Sequence, residues 1–167
     1  MEAKISANPA GPLPIRVLIV DDHPMMAQAL VRNFESQPDF EVVGGASTVA
    51  AALDVLTVHA VDVVVLDYHL PDGDGATATR QIVDRWAFVK VVMLTGSGDE
   101  AAVFEAARAG CSGFMDKTGD PADLVRIVRN VSRGAIEFPP VHLDRLPQID
   151  QLLVHYQPIV DLSLIHI

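Results

Sequence analysis

Asp21, Asp22, Asp67, Thr95 and Lys117 are the side chains whose types and positions could do chemistry together. Each follows closely on a short apolar run. Ile15 to Val20 leads into Asp21-Asp22, Val63 to Leu66 into Asp67, Val89 to Leu94 into Thr95, and Gly113-Phe114-Met115 into Asp116-Lys117. If these runs are strands whose carboxyl ends converge, the polar residues line one shallow pocket. Two unit charges about 5 Å apart repel by roughly 3 kcal/mol at an effective dielectric near 20, so three carboxylates there call for raised pKa values or a bound cation. A hard divalent ion with carboxylate, carbonyl and water ligands meets that need, and Mg²⁺ suits a site that handles phosphate. Lys117 is able to pair with Asp67 and with a transferred phosphoryl oxygen, and the Thr95 hydroxyl with another. The set reads as an aspartate nucleophile that accepts a phosphoryl group while a metal neutralises charge.

The elements that must position these residues are legible as a repeat. The apolar runs do not alternate, which predicts strands buried on both faces. Pro24 suits the first turn of a helix capped by Asp22 or His23, with Met25, Met26, Ala29, Leu30 and Phe34 spaced for burial and Met25 and Met26 at its core and rim. Phe40 to Gly44 reads as a short strand with a glycine exit. Thr48 caps an Ala-rich helix to about His59. A helix from about Ala76 to Trp86 follows the turn-rich loop after Asp67. Asp99 or Glu100 opens another helix, stopped by Gly110, and Asp120-Pro121 opens the last, ended by Gly134. Strand–helix alternation repeated in this way predicts an α/β fold: a five-stranded parallel sheet with right-handed crossovers, in the flavodoxin-like order 2-1-3-4-5. That order makes strands one, three, four and five neighbours.

Bulk properties narrow the setting. The 167 residues suffice for one domain and a remainder, and the 50% hydrophobic content fits a sheet covered on both sides. No apolar run approaches a membrane span, so no membrane contact is expected. Residues 1–14 hold three prolines and no apolar core of a secretory signal, and read as a disordered lead-in. Cys111 is the single cysteine, which precludes an internal disulfide and fits a cytoplasmic setting. The net charge of −10 argues against nucleic-acid binding by this segment.

Four strings carry a resemblance: Val-Asp-Asp-His-Pro at 20–24, Leu-Asp-Tyr-His-Leu-Pro-Asp-Gly-Asp-Gly at 66–75, Met-Leu-Thr-Gly at 93–96 and Gly-Phe-Met-Asp-Lys at 113–117. In this order and spacing, residues 15–134 resemble the CheY-like receiver domain of two-component response regulators. The resemblance implies that Asp67 takes phosphate from a sensor histidine kinase or phosphotransfer protein. It implies Mg²⁺ held by the side chains of Asp22 and Asp67 and the backbone carbonyl of His69, with Asp21 acting through a metal-bound water. Thr95 and Lys117 would hold the phosphoryl group, and Phe114 would be the aromatic switch whose rotamer follows Thr95. A homodimer through helix four, strand five and helix five is a further expectation. Such a module takes part in its own phosphorylation and dephosphorylation but is not a turnover enzyme. Two positions depart from the pattern: Thr118 follows Lys117 where many members have a cis proline, and Gly96 follows Thr95 where alanine is common.

Residues 135–150, proline-bearing and without a period, read as a linker. The stretch at 151–161, with Tyr156-Gln157-Pro158-Ile159-Val160-Asp161, resembles the first strand of an EAL domain, which hydrolyses cyclic di-GMP. The catalytic residues of such a domain are absent from this chain. Residues 162–167 match a translated sequencing adapter and are expected to be non-native. The leading expectation is thus a phosphorylation switch for a cyclic di-GMP phosphodiesterase. A DNA-binding transcriptional regulator, a stand-alone phosphate shuttle and a hydrolase using Asp67 stay open as alternatives.

Plainer readings exist for single residues. Asp22 also suits a helix cap, Asp72 and Asp74 are turn formers, and His23, His59 and His69 read as loop histidines. Cys111 suits a small packed residue, and Phe114 a core aromatic.

Overall fold

The computed structural model describes residues 11–96 and 100–140. The elements run β1 (Ile15–Val20), α1 (Pro24–Glu35), β2 (Phe40–Ala46), α2 (Val49–Val58), β3 (Val63–Asp67), β4 (His69–Leu70), β5 (Gly73–Asp74), α3 (Gly75–Arg85), β6 (Lys90–Thr95), α4 (Glu100–Ala109), β7 (Gly113–Asp116) and α5 (Pro121–Ser132). Five strands form a parallel sheet in the order β2-β1-β3-β6-β7. This is the expected 2-1-3-4-5 order. The higher labels arise because the loop after Asp67, which its sequence predicts as turns, contains a small antiparallel pair, β4 with β5.

Side chains alternate across each strand and so feed two cores. Leu18, Val20, Val64, Leu66, Val91 and Met93 enter one apolar cluster with Ala52 and Leu56 of α2, Ala78 and Ile82 of α3, and Val103 and Ala106 of α4. Val17, Ile19, Val63, Val65, Val92 and Leu94 enter the other with Leu30 and Phe34 of α1 and Leu124, Val128 and Val131 of α5. Burial on both faces is why the strands are apolar without alternation. Truncating one such residue, as in Leu66→Ala, removes about 2–5 kcal/mol.

The helix ends follow local chemistry. Thr48 accepts the N–H of Ala51 at 3.1 Å, Asp74 that of Thr77 at 2.7 Å, and Asp120 that of Ala122 at 2.9 Å. Gly110 follows α4 with φ +100°, a conformation glycine adopts without strain.

Several boundaries differ from the sequence reading. Gly44 does not end β2, which continues to Ala46 because β1 still offers partners, the last being Asp21 N–H to the Ala46 carbonyl at 3.0 Å. Of the two cap candidates before Pro24, His23 stands at the N-cap position of α1, although its side chain makes no capping bond. Met25 is 87% exposed rather than packed, because α1 turns its Leu30–Phe34 stripe to the sheet. The Lys117–Thr118 peptide is trans, like all those described. Asp99, most of the lead-in, the EAL-like stretch at 151–161 and the hexapeptide at 162–167 lie outside the described residues.

Candidate functional site

Register assembles the site. Val20 pairs with Leu66, which sets Asp21 beside Asp67 at the ends of β1 and β3. Asp67 pairs with Leu94, the residue before Thr95, and Thr95 pairs with Asp116, the residue before Lys117. Parallel pairing thus steps the four polar residues along one sheet edge. Carboxyl ends of strands are where open α/β sheets place their chemistry.

The contacts are short and buried. Lys117 Nζ lies 2.8 Å from Asp67 Oδ2 and donates to Asp21 Oδ2 at 2.9 Å. The Asp67 and Asp21 side chains are 3% and 1% exposed, and that of Lys117 13%. Burial opposes the lysine charge, but the pairings with Asp67 and Asp21 outweigh it and hold the amine above its ordinary pKa. Asp21 Oδ1 is committed as well, taking the His23 N–H at 2.8 Å and standing 3.0 Å from its ring Nδ1. The backbone N–H of His69 donates to Asp67 Oδ1 at 3.2 Å. Thr95 is fully buried at the end of β6, and its carbonyl accepts the Lys117 N–H at 2.8 Å. Phe114 lies opposite Met93, on the same face as that residue, and is 4% exposed.

Asp22 Oδ1 and Asp67 Oδ2 are buried and accept no hydrogen bond. Asp67 Oδ2 meets Lys117 as an ion pair at 2.8 Å. One ligand atom from each of Asp21, Asp22, His23 and Asp67 lies within 4.8 Å of the others. Several carboxylate oxygens gathered here, two of them withdrawn from water and short of aligned hydrogen bonds, suit a hard divalent cation, so the residues present fit one.

A family model described as the response regulator receiver domain matches residues 17–129. This chain belongs to that family. The receiver is 34% identical over 120 residues to the DNA-binding transcriptional activator DevR/DosR of Mycobacterium tuberculosis, a match covering 72% of this chain and 55% of that protein. Among solved structures it resembles the signal receiver domain of the response regulator NarL from Mycobacterium tuberculosis, with TM-score 0.71 and 31% identity over 74% of this chain and 99% of the other. It also resembles the CheX–CheY–BeF₃⁻–Mg²⁺ complex of Borrelia burgdorferi, with TM-score 0.67 and 29% identity over 71% of this chain and 90% of that one. The chain spans about half the length of the curated relatives it matches. No helix among the described residues is long and apolar enough to cross a membrane.

Three residues at the receiver site escaped the sequence reading. The ring of His23 reaches the acidic cluster, 3.2 Å from Asp22 Oδ1 and 3.7 Å from Asp67 Oδ2, while its side chain stays 66% exposed. Its place between two aspartates and Pro24 was the available signal. Asp72 is more than a turn former: its carboxylate accepts the N–H groups of Val49 and Ala50 at 2.8 and 3.0 Å, tying the loop after Asp67 to the start of α2. Those bonds hold its carboxyl below the usual range. A Cβ on Gly75 would lie 2.9 Å from Tyr68 Cα and 3.1 Å from the Asp67 carbonyl, so only glycine lets α3 begin this close to Asp67.

Proposed function

We propose that Asp67 accepts a phosphoryl group from a phosphohistidine on a sensor kinase or phosphotransfer protein. The observation that carries this reading is the Asp67 carboxylate, buried at the carboxyl end of β3, with its Oδ2 facing the Lys117 amine at 2.8 Å. An Asp67 oxygen forms the bond to phosphorus as the phosphorus–nitrogen bond to the donor imidazole breaks, and the freed ring regains its proton from solvent. Asp22, Asp67 and the His69 carbonyl would hold Mg²⁺, with Asp21 reaching it through water. When bound, the ion offsets the charge of the phosphoryl oxygens. Lys117 and the Thr95 hydroxyl hold those oxygens. As Thr95 is drawn to the phosphoryl group, the Phe114 ring follows on the same face of the sheet. The module regulates rather than turns over substrate.

Intact-protein mass after incubation with Mg²⁺ and acetyl phosphate tests this. One added phosphoryl group is expected, absent from Asp67→Asn and absent in chelator. An equal gain in Asp67→Asn overturns the assignment.

The output is read from the relatives and the tail. Curated relatives are transcriptional regulators, which supports a DNA-binding output for the parent protein over the phosphodiesterase expected from the tail. The match lies in the receiver, and the Tyr156–Asp161 string favours the phosphodiesterase as a second reading. Gel-shift binding of promoter DNA against hydrolysis of cyclic di-GMP by the parent protein separates the two. A receiver homodimer across α4, β7 and α5 completes the proposal, and gel filtration with and without BeF₃⁻ tests it.

A further inference from the structure

β7 is one of the two edge strands of the five-stranded sheet, and an edge strand presents unpaired backbone groups. Here its free edge is taken by the chain's own continuation. After α5, Gly134 turns the backbone with φ +96°, and Glu137 returns alongside β7 as a parallel bridge to Gly113. The Glu137 N–H donates to the Ser112 carbonyl at 2.9 Å, and the Glu137 carbonyl accepts the N–H of Phe114 at 2.9 Å. Side chains of α5 fasten the same residue: Asn130 Nδ2 donates to Glu137 Oε1 at 2.7 Å, and Arg126 stands 3.6 Å from that oxygen. Phe138 packs against the apolar cluster that contains Phe114.

We propose that the β7 edge is a receptor for residues 135–138, and that this strap couples Phe114 to whatever follows in the parent protein. The occupant is a segment of this chain, held by two backbone bonds, a side-chain clamp from α5 and one aromatic ring. This is strand addition of the kind used for peptide capture, performed within one chain. The strap bonds to the backbone of Phe114 itself, so a change in that residue's conformation acts directly on the outgoing chain. The structure shows Phe114 buried with the strap docked, which pairs the inward ring with the docked state. The coupling, though not the docking, rests on the reading of Asp67 and Phe114 given above. Because Phe114 follows Thr95 toward the phosphoryl group in that reading, phosphorylation favours the state with the ring inward and the strap docked, and so tightens the strap. A dimer across α4, β7 and α5 must accommodate the strap, because the edge groups of Ser112 and Phe114 are already used.

Residue-resolved amide exchange on the 167-residue protein tests both parts. In the untreated protein, the Phe114 amide is expected to exchange at least about ten-fold more slowly than in Glu137→Pro, which removes the strap's donor, while Val64 in the sheet interior is unchanged. Asn130→Ala should speed Phe114 exchange to a smaller degree. Equal Phe114 exchange in wild type and Glu137→Pro overturns the docking. With BeF₃⁻ and Mg²⁺, the Phe114 and Glu137 amides are expected to slow further, and not to do so in Asp67→Asn. If the ¹⁹F signal shows BeF₃⁻ bound through Asp67 but these amides do not slow, the coupling is overturned and the phosphoacceptor reading stands. If BeF₃⁻ does not bind and acetyl phosphate adds no mass, the phosphoacceptor reading falls and takes the coupling with it. The docking is decided by the untreated protein in every case.

Discussion

Lys117 Nζ stands 2.8 Å from Asp67 Oδ2, and both side chains are largely withdrawn from water. The same amine serves Asp21 at 2.9 Å, so one cation offsets two buried carboxylates. Lys117→Met leaves both without it. Removing one partner of a buried pair typically costs about 3–5 kcal/mol, and a loss near the lower figure is expected in chelator. Mg²⁺ should restore part of it. Urea denaturation with and without the ion measures this, and a loss no larger than that of an exposed pair would show that water screens the site.

Gly75→Ala should damage the site without touching a charged group. Its Cβ would press on Tyr68 Cα and the Asp67 carbonyl, which are backbone atoms with little room to move. Overpacking of this kind costs about 1–3 kcal/mol. Phosphorylation by acetyl phosphate should slow as Asp67 shifts. Gly96→Ala is the control, since nothing lies within 4 Å of its Cβ position. Equal stability of the two variants would contradict the close approach.

Asp62 gives an acid-limb prediction. Its hydrogen bond from Arg16, with bonds of 3.0 and 2.9 Å from the guanidinium, holds the carboxyl below the ordinary 3.8 despite partial burial. A folded-state pKa below the unfolded one adds stability above about pH 3.8, and that stability is lost as pH falls through the folded value. Both side chains are more than a third exposed, so solvent screening limits the pair to about 0.5–1 kcal/mol. Asp62→Asn should therefore be less stable than wild type at pH 7 by that amount, and the gap should narrow by pH 3. A gap that is constant with pH would assign it to packing instead.

Cys111 should report unfolding. Burial pushes its thiol up to about 12, and its sulfur lies 3.4 Å from the Thr79 hydroxyl. The thiolate is the reactive form, so iodoacetamide at pH 8 should label the native protein far more slowly than the urea-unfolded chain. Mass spectrometry follows the label. Rapid labelling without denaturant would mean that the helix α3–α4 side of the core opens locally.

Much of this protein was legible one segment at a time. Unalternating runs such as Val63 to Leu66 mark strands covered on both sides, and their polar terminators, Asp21, Asp67, Thr95 and Lys117, stand at or just past the carboxyl ends of those strands. Helix caps at Thr48 and Asp120 were also readable, because a cap acts on N–H groups within three residues. What a segment cannot encode is which distant group completes its bonding. Asp72 caps α2 from 23 residues away, and Glu137 closes the β7 edge only because α5 turns the chain back at Gly134. Gly44 and Gly45 stay in β2 because β1 supplies partners that outweigh their weak strand preference. Local pattern decided the elements and named most of the polar set. Register and long-range hydrogen bonding, which depend on partners brought close only by the packed sheet, decided how those residues touch.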